Sequence, residues 1–251
     1  MGEVTLQELL EAGVHFGHQT KRWNPKMKPF LFTEKNGIHI IDLEKSLECI
    51  QRASAAIREV SMQGRMVLFV GTKPQAKFAI REEAVRCAMP YVTERWLGGT
   101  LTNFNTVRKS LSRLEYLEKM ELDGTISQFS KKEASGLAKE KERILKTLGG
   151  IRKLTDLPGM VFIVDTKKEQ NAVNEARRLG IPIVGVVDSN ADPDEVDYPV
   201  PGNDDAMRAI GLFAKIVADA CIEGRARYSE GRDMSTGDEP VADAAGSQSV
   251  A

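Results

Sequence analysis

The sequence predicts a doubly wound α/β domain, Rossmann- or flavodoxin-like, with an inserted antiparallel helical hairpin. Three observations predict it. From Leu43 onward short apolar runs alternate with stretches of helical period. The runs lack polar alternation, as parallel strands covered on both faces do. The alternation is broken once, at 103–153, by two long stretches with narrow apolar stripes.

In chain order, Thr5 to Ala12 reads as a short helix, with Thr5 and Glu8 at capping-box spacing and Gly13 as its stop. Phe30-Leu31-Phe32 and Ile38 to Ile41 flank Asn36-Gly37, a dipeptide suited to the positive φ angles of a tight hairpin. A helix over Leu43 to Met62 leads to a strand over Met66 to Val70. A helix over Gln75 to Ala88 then leads to a strand near Tyr91 to Trp96. After the interruption come a strand at Val161 to Val164, a helix from Lys168 to Leu179 and a strand from Pro182 to Val187. A last helix spans Asp204 to Ile222. Strand order is not readable from this pattern.

In the interruption, Val107, Leu111, Leu114 and Leu117 mark one helix, and Leu137, Ile144, Leu148 and Ile151 a second. Such stripes suffice to zip two helices together but not to bury either in a core. The division expected is an α/β domain over 1–102 and 154–228, a projecting hairpin over 103–153, and a disordered acidic tail over 229–251. The tail is rich in Ser, Gly, Ala and acids and has too little apolar surface to offset its ordering entropy.

Composition narrows the function. Lys and Arg number 35 against 36 Asp and Glu, so no uniformly basic coat exists and a polyanion would be met through patches. No run approaches the roughly 18 apolar residues of a membrane span, and Met1 to Leu10 lacks the features of a secretory signal. Cys49, Cys87 and Cys221 are odd in number and far apart, which fits reduced thiols in the cytoplasm.

One patch is conspicuous. Between Ala12 and Thr33 there is no acidic residue, while Lys21, Arg22, Trp23, Lys26 and Lys28 sit on a loop stiffened by Pro25 and Pro29. Cations interleaved with rings suit phosphates and unstacked bases. A solvated basic loop is the plainer reading, as is a packed loop anchor for Trp23. The hairpin adds Arg108, Arg113, Lys131, Lys132, Arg143 and Lys146, which serve solvation or a second RNA contact. Lys73 and Arg95 stand at strand ends, where they would add contacts at the sheet edge.

Catalytic frames are missing. Val70-Gly71-Thr72-Lys73 lacks both nucleotide-loop patterns, and Trp96-Leu97-Gly98-Gly99-Thr100 reads better as a turn than as a phosphate cradle. The carboxylates remain. Asp165 and Asp188 follow buried strands, and Asp204 and Asp205 open the last helix. Helix capping explains the last two cheaply. A divalent ion, zinc or magnesium, held by His18, Asp188, Asp204 and Asp205 is the other reading, with histidine tilting the choice toward zinc.

These residues together resemble the bacterial small-subunit ribosomal protein S-two family, from Val14 to about Arg225. Val14-His15-Phe16-Gly17-His18-Gln19-Thr20 and Trp23-Asn24-Pro25-Lys26-Met27 are similar to its amino-terminal signature. Arg95-Trp96-Leu97-Gly98-Gly99 with Leu101-Thr102-Asn103 resembles its central motif. Pro158, Val161-Phe162-Ile163, Asp165, Glu175 and Gly180-Ile181-Pro182 echo a second signature. Asp188, Asp192-Pro193 and Pro201-Gly202-Asn203-Asp204-Asp205 resemble its carboxyl-terminal block.

The resemblance implies a cytoplasmic, non-catalytic component of the small subunit that contacts its ribosomal RNA and neighbouring proteins, with no membrane and no small-molecule substrate. It also implies a part in anchoring ribosomal protein S-one for initiation. To that part we assign the acidic sheet edge, as a metal-supported or directly charged docking surface for a protein neighbour. The alternatives on the residues alone are a metal-dependent or nucleotide-using α/β enzyme centred on Asp188, Asp204 and Asp205, and a pure protein adaptor using the hairpin as its arm.

Overall fold

The computed structural model describes residues 4–236. Its first helix, α1 (Leu6–Glu11), starts on the expected capping box: the Glu8 N–H donates to the Thr5 hydroxyl and the Thr5 N–H to the Glu8 carboxylate. Next come β1 (Phe16–Gln19), β2 (Leu31–Lys35) and β3 (Ile38–Ile41), an antiparallel sheet in the order β1-β3-β2. Asn36 and Gly37 close β2 onto β3 with φ of 55° and 74°, the paired positive angles their types predict. β1 has no counterpart in the sequence reading, because Gly17-His18-Gln19 carries no strand-forming side chain.

The larger sheet follows. α2 (Leu43–Met62) has the predicted bounds, with Asp42 capping its first turn. After it come β4 (Val67–Val70), α3 (Pro74–Arg86), β5 (Tyr91–Val92), α4 (Phe104–Leu122) and α5 (Lys131–Leu148). The described residues end with β6 (Met160–Val164), α6 (Gln170–Arg178), β7 (Ile183–Val187), β8 (Tyr198–Pro201) and α7 (Met207–Thr236). The five strands are all parallel, in the order β5-β4-β6-β7-β8. From β4 the chain first goes outward to β5 and later returns on β4's other side as β6. That reversal is the switch point at which doubly wound folds bind ligands.

Strand residues alternate between two cores. Phe69, Phe162, Val184 and Val186 face α2, α3 and α7. Leu68, Val70, Ile163 and Val187 face α6, where Trp96, Leu101 and Met27 join them. β4, β6 and β7 are therefore buried along their whole length, which explains their uninterrupted apolar sequences. β8 escapes the sequence reading because its Tyr-Pro-Val-Pro resembles a loop. Pro is tolerated there because β8 is an edge strand with one neighbour.

Three expectations need correction. The α4 and α5 stripes do more than zip to each other: Val107, Leu111 and Leu148 belong to the core on the α6 face. The strand expected through Trp96 stops at Val92. The last helix begins at Met207 and continues through 229–236, where disorder was expected, since an established helix gains a hydrogen bond per added residue without needing burial. The rest of the expected tail, 237–251, lies outside the described residues.

Candidate functional site

The carboxyl edge of the sheet gathers a dense charge cluster. Lys73, one turn past β4, places Nζ 2.7 Å from Asp165, 2.7 Å from Asp204 and 2.8 Å from Asp205. Asp165 follows β6, so the Lys73–Asp165 pair bridges the switch point itself. Asp165 holds a left-handed φ of 63°, uncommon outside glycine, and its carboxylate accepts from the Lys168 N–H. Beside them, the Thr72 N–H and hydroxyl both donate to Glu169.

β1 lies across this edge. His18 puts Nδ1 3.0 Å from Asp188 and Nε2 3.5 Å from Asp205. Its N–H donates to Ser189 Oγ at 2.8 Å and to Asp188 at 3.1 Å. Gly17 makes the approach feasible, for a Cβ there would stand 2.9 Å from Ser189 Oγ and 3.0 Å from the His39 carbonyl. Further on, the Asn24 N–H donates to the Ser189 carbonyl at 2.7 Å and the Asn203 N–H to the Val14 carbonyl at 3.0 Å.

Electrostatics follow from depth. Asp165, Asp188 and Asp204 are 6%, 1% and 0% exposed. Burial, with the Asp188 and Asp165 charges beside it, pushes the Asp204 carboxyl up to about 7 despite Lys73. The hydrogen bond to Asp188 holds the His18 imidazole above its ordinary value against the effect of burial. Burial opposes the Lys73 charge too, but the three carboxylates outweigh it and keep the ammonium protonated. This corrects one expectation: Lys73 is consumed internally by three carboxylates and is not free at the sheet edge. Of the acidic edge, Asp165, Asp188 and Asp204 are turned inward, while the Asp205 side chain keeps 56% exposure. His15, the neighbouring histidine of the amino-terminal motif, packs against Phe16 with ring centroids 4.0 Å apart.

A second cluster accounts for the turn after β5. Glu175 of α6 accepts from the N–H groups of Gly99, Leu101 and Thr102 at 2.8 to 3.0 Å, from the Thr102 hydroxyl and from Trp96 Nε1. The turn does form an anion cradle, and the protein's own carboxylate fills it. Burial would raise the Glu175 pKa, but these donors outweigh it and leave it below the ordinary value. Trp96 is core, at 6% exposure. The spacing gave no sign of this clamp, because its two halves are about 75 residues apart.

The remaining cations divide clearly. Lys26 is bound to Asp192 and Asp194 at 2.8 and 2.9 Å, and Arg113 to Glu140 at 3.1 Å. Lys21, Arg22, Lys28, Arg95, Arg108, Lys131, Lys132, Arg143 and Lys146 are exposed, and none makes a side-chain hydrogen bond or ion pair among the described residues. Trp23 is 37% exposed, with its ring centroid 5.3 Å from that of His39.

A family model described as Ribosomal protein S2 matches residues 9–224. The chain belongs to the ribosomal protein S2 family. A relative named small ribosomal subunit protein uS2, from Treponema pallidum (strain Nichols), is 57% identical over 223 residues, covering 89% of this chain and 77% of the relative. Proteins of the same name from Acidothermus cellulolyticus and Thermobifida fusca are 55% and 56% identical, over 97% and 96% of this chain and 94% and 83% of their own lengths. This S2-family chain is thus a structural, non-enzymatic component of the small ribosomal subunit, at work in the cytoplasm. No described helix is long and apolar enough to cross a membrane.

Two predictions follow from the S2-family geometry. Lys73→Met leaves three carboxylates crowded without their counter-ion and should cost about 3–5 kcal/mol in urea unfolding. Adding Asp204→Asn should return part of that loss. Glu175→Gln should cost about 1–3 kcal/mol at pH 7. Because folding lowers the Glu175 pKa, its contribution is complete above the unfolded value and fades as pH falls through the folded one. The wild-type advantage over Glu175→Gln should therefore shrink below about pH 4, in unfolding curves run from pH 7 to 3.

Proposed function

We propose that this chain grips small-subunit ribosomal RNA through its unpaired cations and offers a protein neighbour, ribosomal protein S-one, a separate apolar surface. The observation that carries the RNA reading is the division of cations just described. Lys21, Arg22 and Lys28 project from a loop pinned to the sheet edge through the Asn24 N–H, and among the described residues no carboxylate pairs with them. Trp23 beside them keeps part of its ring exposed for stacking. Arg95, Arg108, Lys131, Lys132, Arg143 and Lys146 extend the contact. Lys26 and Arg113, with half-exposed partners, can exchange a carboxylate for a phosphate. Such contacts position the protein without reading sequence.

The protein-neighbour reading is supported by a groove of about 470 Å³ between α1 and the small sheet, lined by Leu6, Leu10, Phe32, Ile40 and Leu43. Phe32 is 75% and Leu10 55% exposed, which suits an apolar partner segment far better than a phosphate backbone.

The RNA reading is tested by binding the purified chain to small subunits lacking it, over a range of salt. Lys21→Ala with Arg22→Ala should flatten the slope of log affinity against log salt by about 1.4–1.8, two phosphates' worth. An unchanged slope removes both residues from the interface. Retention of the chain by protein contacts alone, with no RNA footprint, would leave the adaptor reading. Phe32→Asp should release S-one from washed subunits while leaving this chain in place. Retention of S-one would free the groove from that role.

A further inference from the structure

The amino edge of the large sheet, opposite the charge cluster, brings sulfur side chains together. Cys87 ends α3 and Cys221 lies in α7; they are 3% and 0% exposed and share one core with Val67 and Met89. The N–H of Val67, first residue of β4, donates to Met89 Sδ at 3.4 Å, which fixes this group at the start of the strand. Arg225, one turn beyond Cys221, donates to the Cys87 carbonyl at 3.3 Å. Residues four apart share a helix face, so the face that carries Arg225 also carries Cys221 onto Cys87. The two thiols are in hydrogen-bonding contact, and both are free. Cys49 is remote. Ser61 of α2 lies against this stretch of α7, beside Gly224, and Cys49 stands three turns earlier on α2, about 18 Å away along the helix.

A buried cysteine acts as a small apolar side chain unless its surroundings favour the thiolate. Those of Cys87 do. The Cys221 thiol donates to it and the Arg86 charge lies near, so Cys87 is held below its ordinary value although burial opposes this. Cys221, as the donor in that bond and the deeper of the two, is raised. The asymmetry separates an attacking sulfur from a resolving one.

We infer that Cys87 and Cys221 form a peroxide-responsive dithiol site, oxidised to an intramolecular disulfide that ties α7 to the end of α3. The Cys87 thiolate attacks one oxygen of hydrogen peroxide; the O–O bond breaks, leaving a sulfenic acid and hydroxide. The Cys221 sulfur then attacks the Cys87 sulfur, so that the S–S bond forms and the S–O bond breaks. With the two thiol protons, the hydroxide and the displaced hydroxyl leave as two waters. The sulfurs give up two electrons in all, and the peroxide takes them. Access is by way of the end of α3, since helix ends fray. The site stands whether or not the cationic loop meets RNA.

The test uses the full chain, reduced, freed of reductant, treated with hydrogen peroxide and alkylated after denaturation. Two of its three thiols should be lost and Cys49 alkylated. A tryptic map should show Cys87 linked to Cys221 in a peptide pair lighter by the two thiol hydrogens, and dithiothreitol should restore both. Cys221→Ala should halt the reaction at a Cys87 sulfenic acid that dimedone traps, and Cys87→Ala should leave Cys221 unreacted over the same time. Circular dichroism establishes that each variant is folded, and the wild-type map needs neither. Retention of both thiols by the folded wild-type chain, oxidation of Cys49 before the pair, links only between chains, or undiminished loss of Cys221 in folded Cys87→Ala would each refute the proposal.

Discussion

The ammonium group of Lys73 is the constraint on which the carboxyl edge depends. Asp165, Asp188 and Asp204 are carboxylates with almost no exposure, set close enough that the first two raise the pKa of Asp204. Without a counter-charge they would take up protons or push the strand ends apart. Lys73 reaches two of them at 2.7 Å from the loop after β4, and the third is engaged by His18 from β1. The main sheet and the amino-terminal sheet are thus joined by charge at this edge, beside the hydrogen bonds of His18 and Asn24 to Ser189.

The same arrangement explains how an architecture associated with ligand binding serves as a scaffold. A doubly wound sheet has a crevice at its switch point, and here that crevice lies between β4 and β6. Lys73, Asp165, Thr72 and Glu169 close it with side chains from both flanking loops. The other place for an anion, the 99–102 turn, holds the Glu175 carboxylate. Both vacancies that a nucleotide would use are taken by the protein's own charges. What remains chemically open faces outward, on the cationic loop and along α4 and α5.

Legibility in the sequence tracks the range of each interaction. The helices and buried strands were readable because 3.6-residue and uninterrupted apolar patterns are local: α2 has the predicted ends, and Asn36-Gly37 makes the predicted turn. β1 and β8 were not, since one is polar and the other half proline, and each is defined by the strand it borders. The cluster was half legible. His18, Asp188, Asp204 and Asp205 do converge, because strand ends and helix starts of a parallel sheet share one edge. Lys73 was placed at that edge but given the wrong partner, since its carboxylates lie 92 to 132 residues further along the chain. Glu175 was visible only as a member of a family motif, with nothing nearby to show that it binds the 99–102 turn.

Charge density along the chain is therefore a poor guide to charge density in space. The window from Ala12 to Thr33 contains no acid, yet Lys26 within it lies between Asp192 and Asp194, brought there from the loop after β7. Lys21, Arg22 and Lys28 keep their isolation. The difference sets an order of availability. Unpaired, exposed cations can neutralise phosphate with nothing to give up. Lys26 must first release two carboxylates, but all three groups are wetted and screened, so the exchange costs little. Lys73 is only 13% exposed, and moving it would strand Asp165 and Asp204 in a medium that cannot solvate them. A lysine's fitness to hold RNA is decided by what its departure would leave behind.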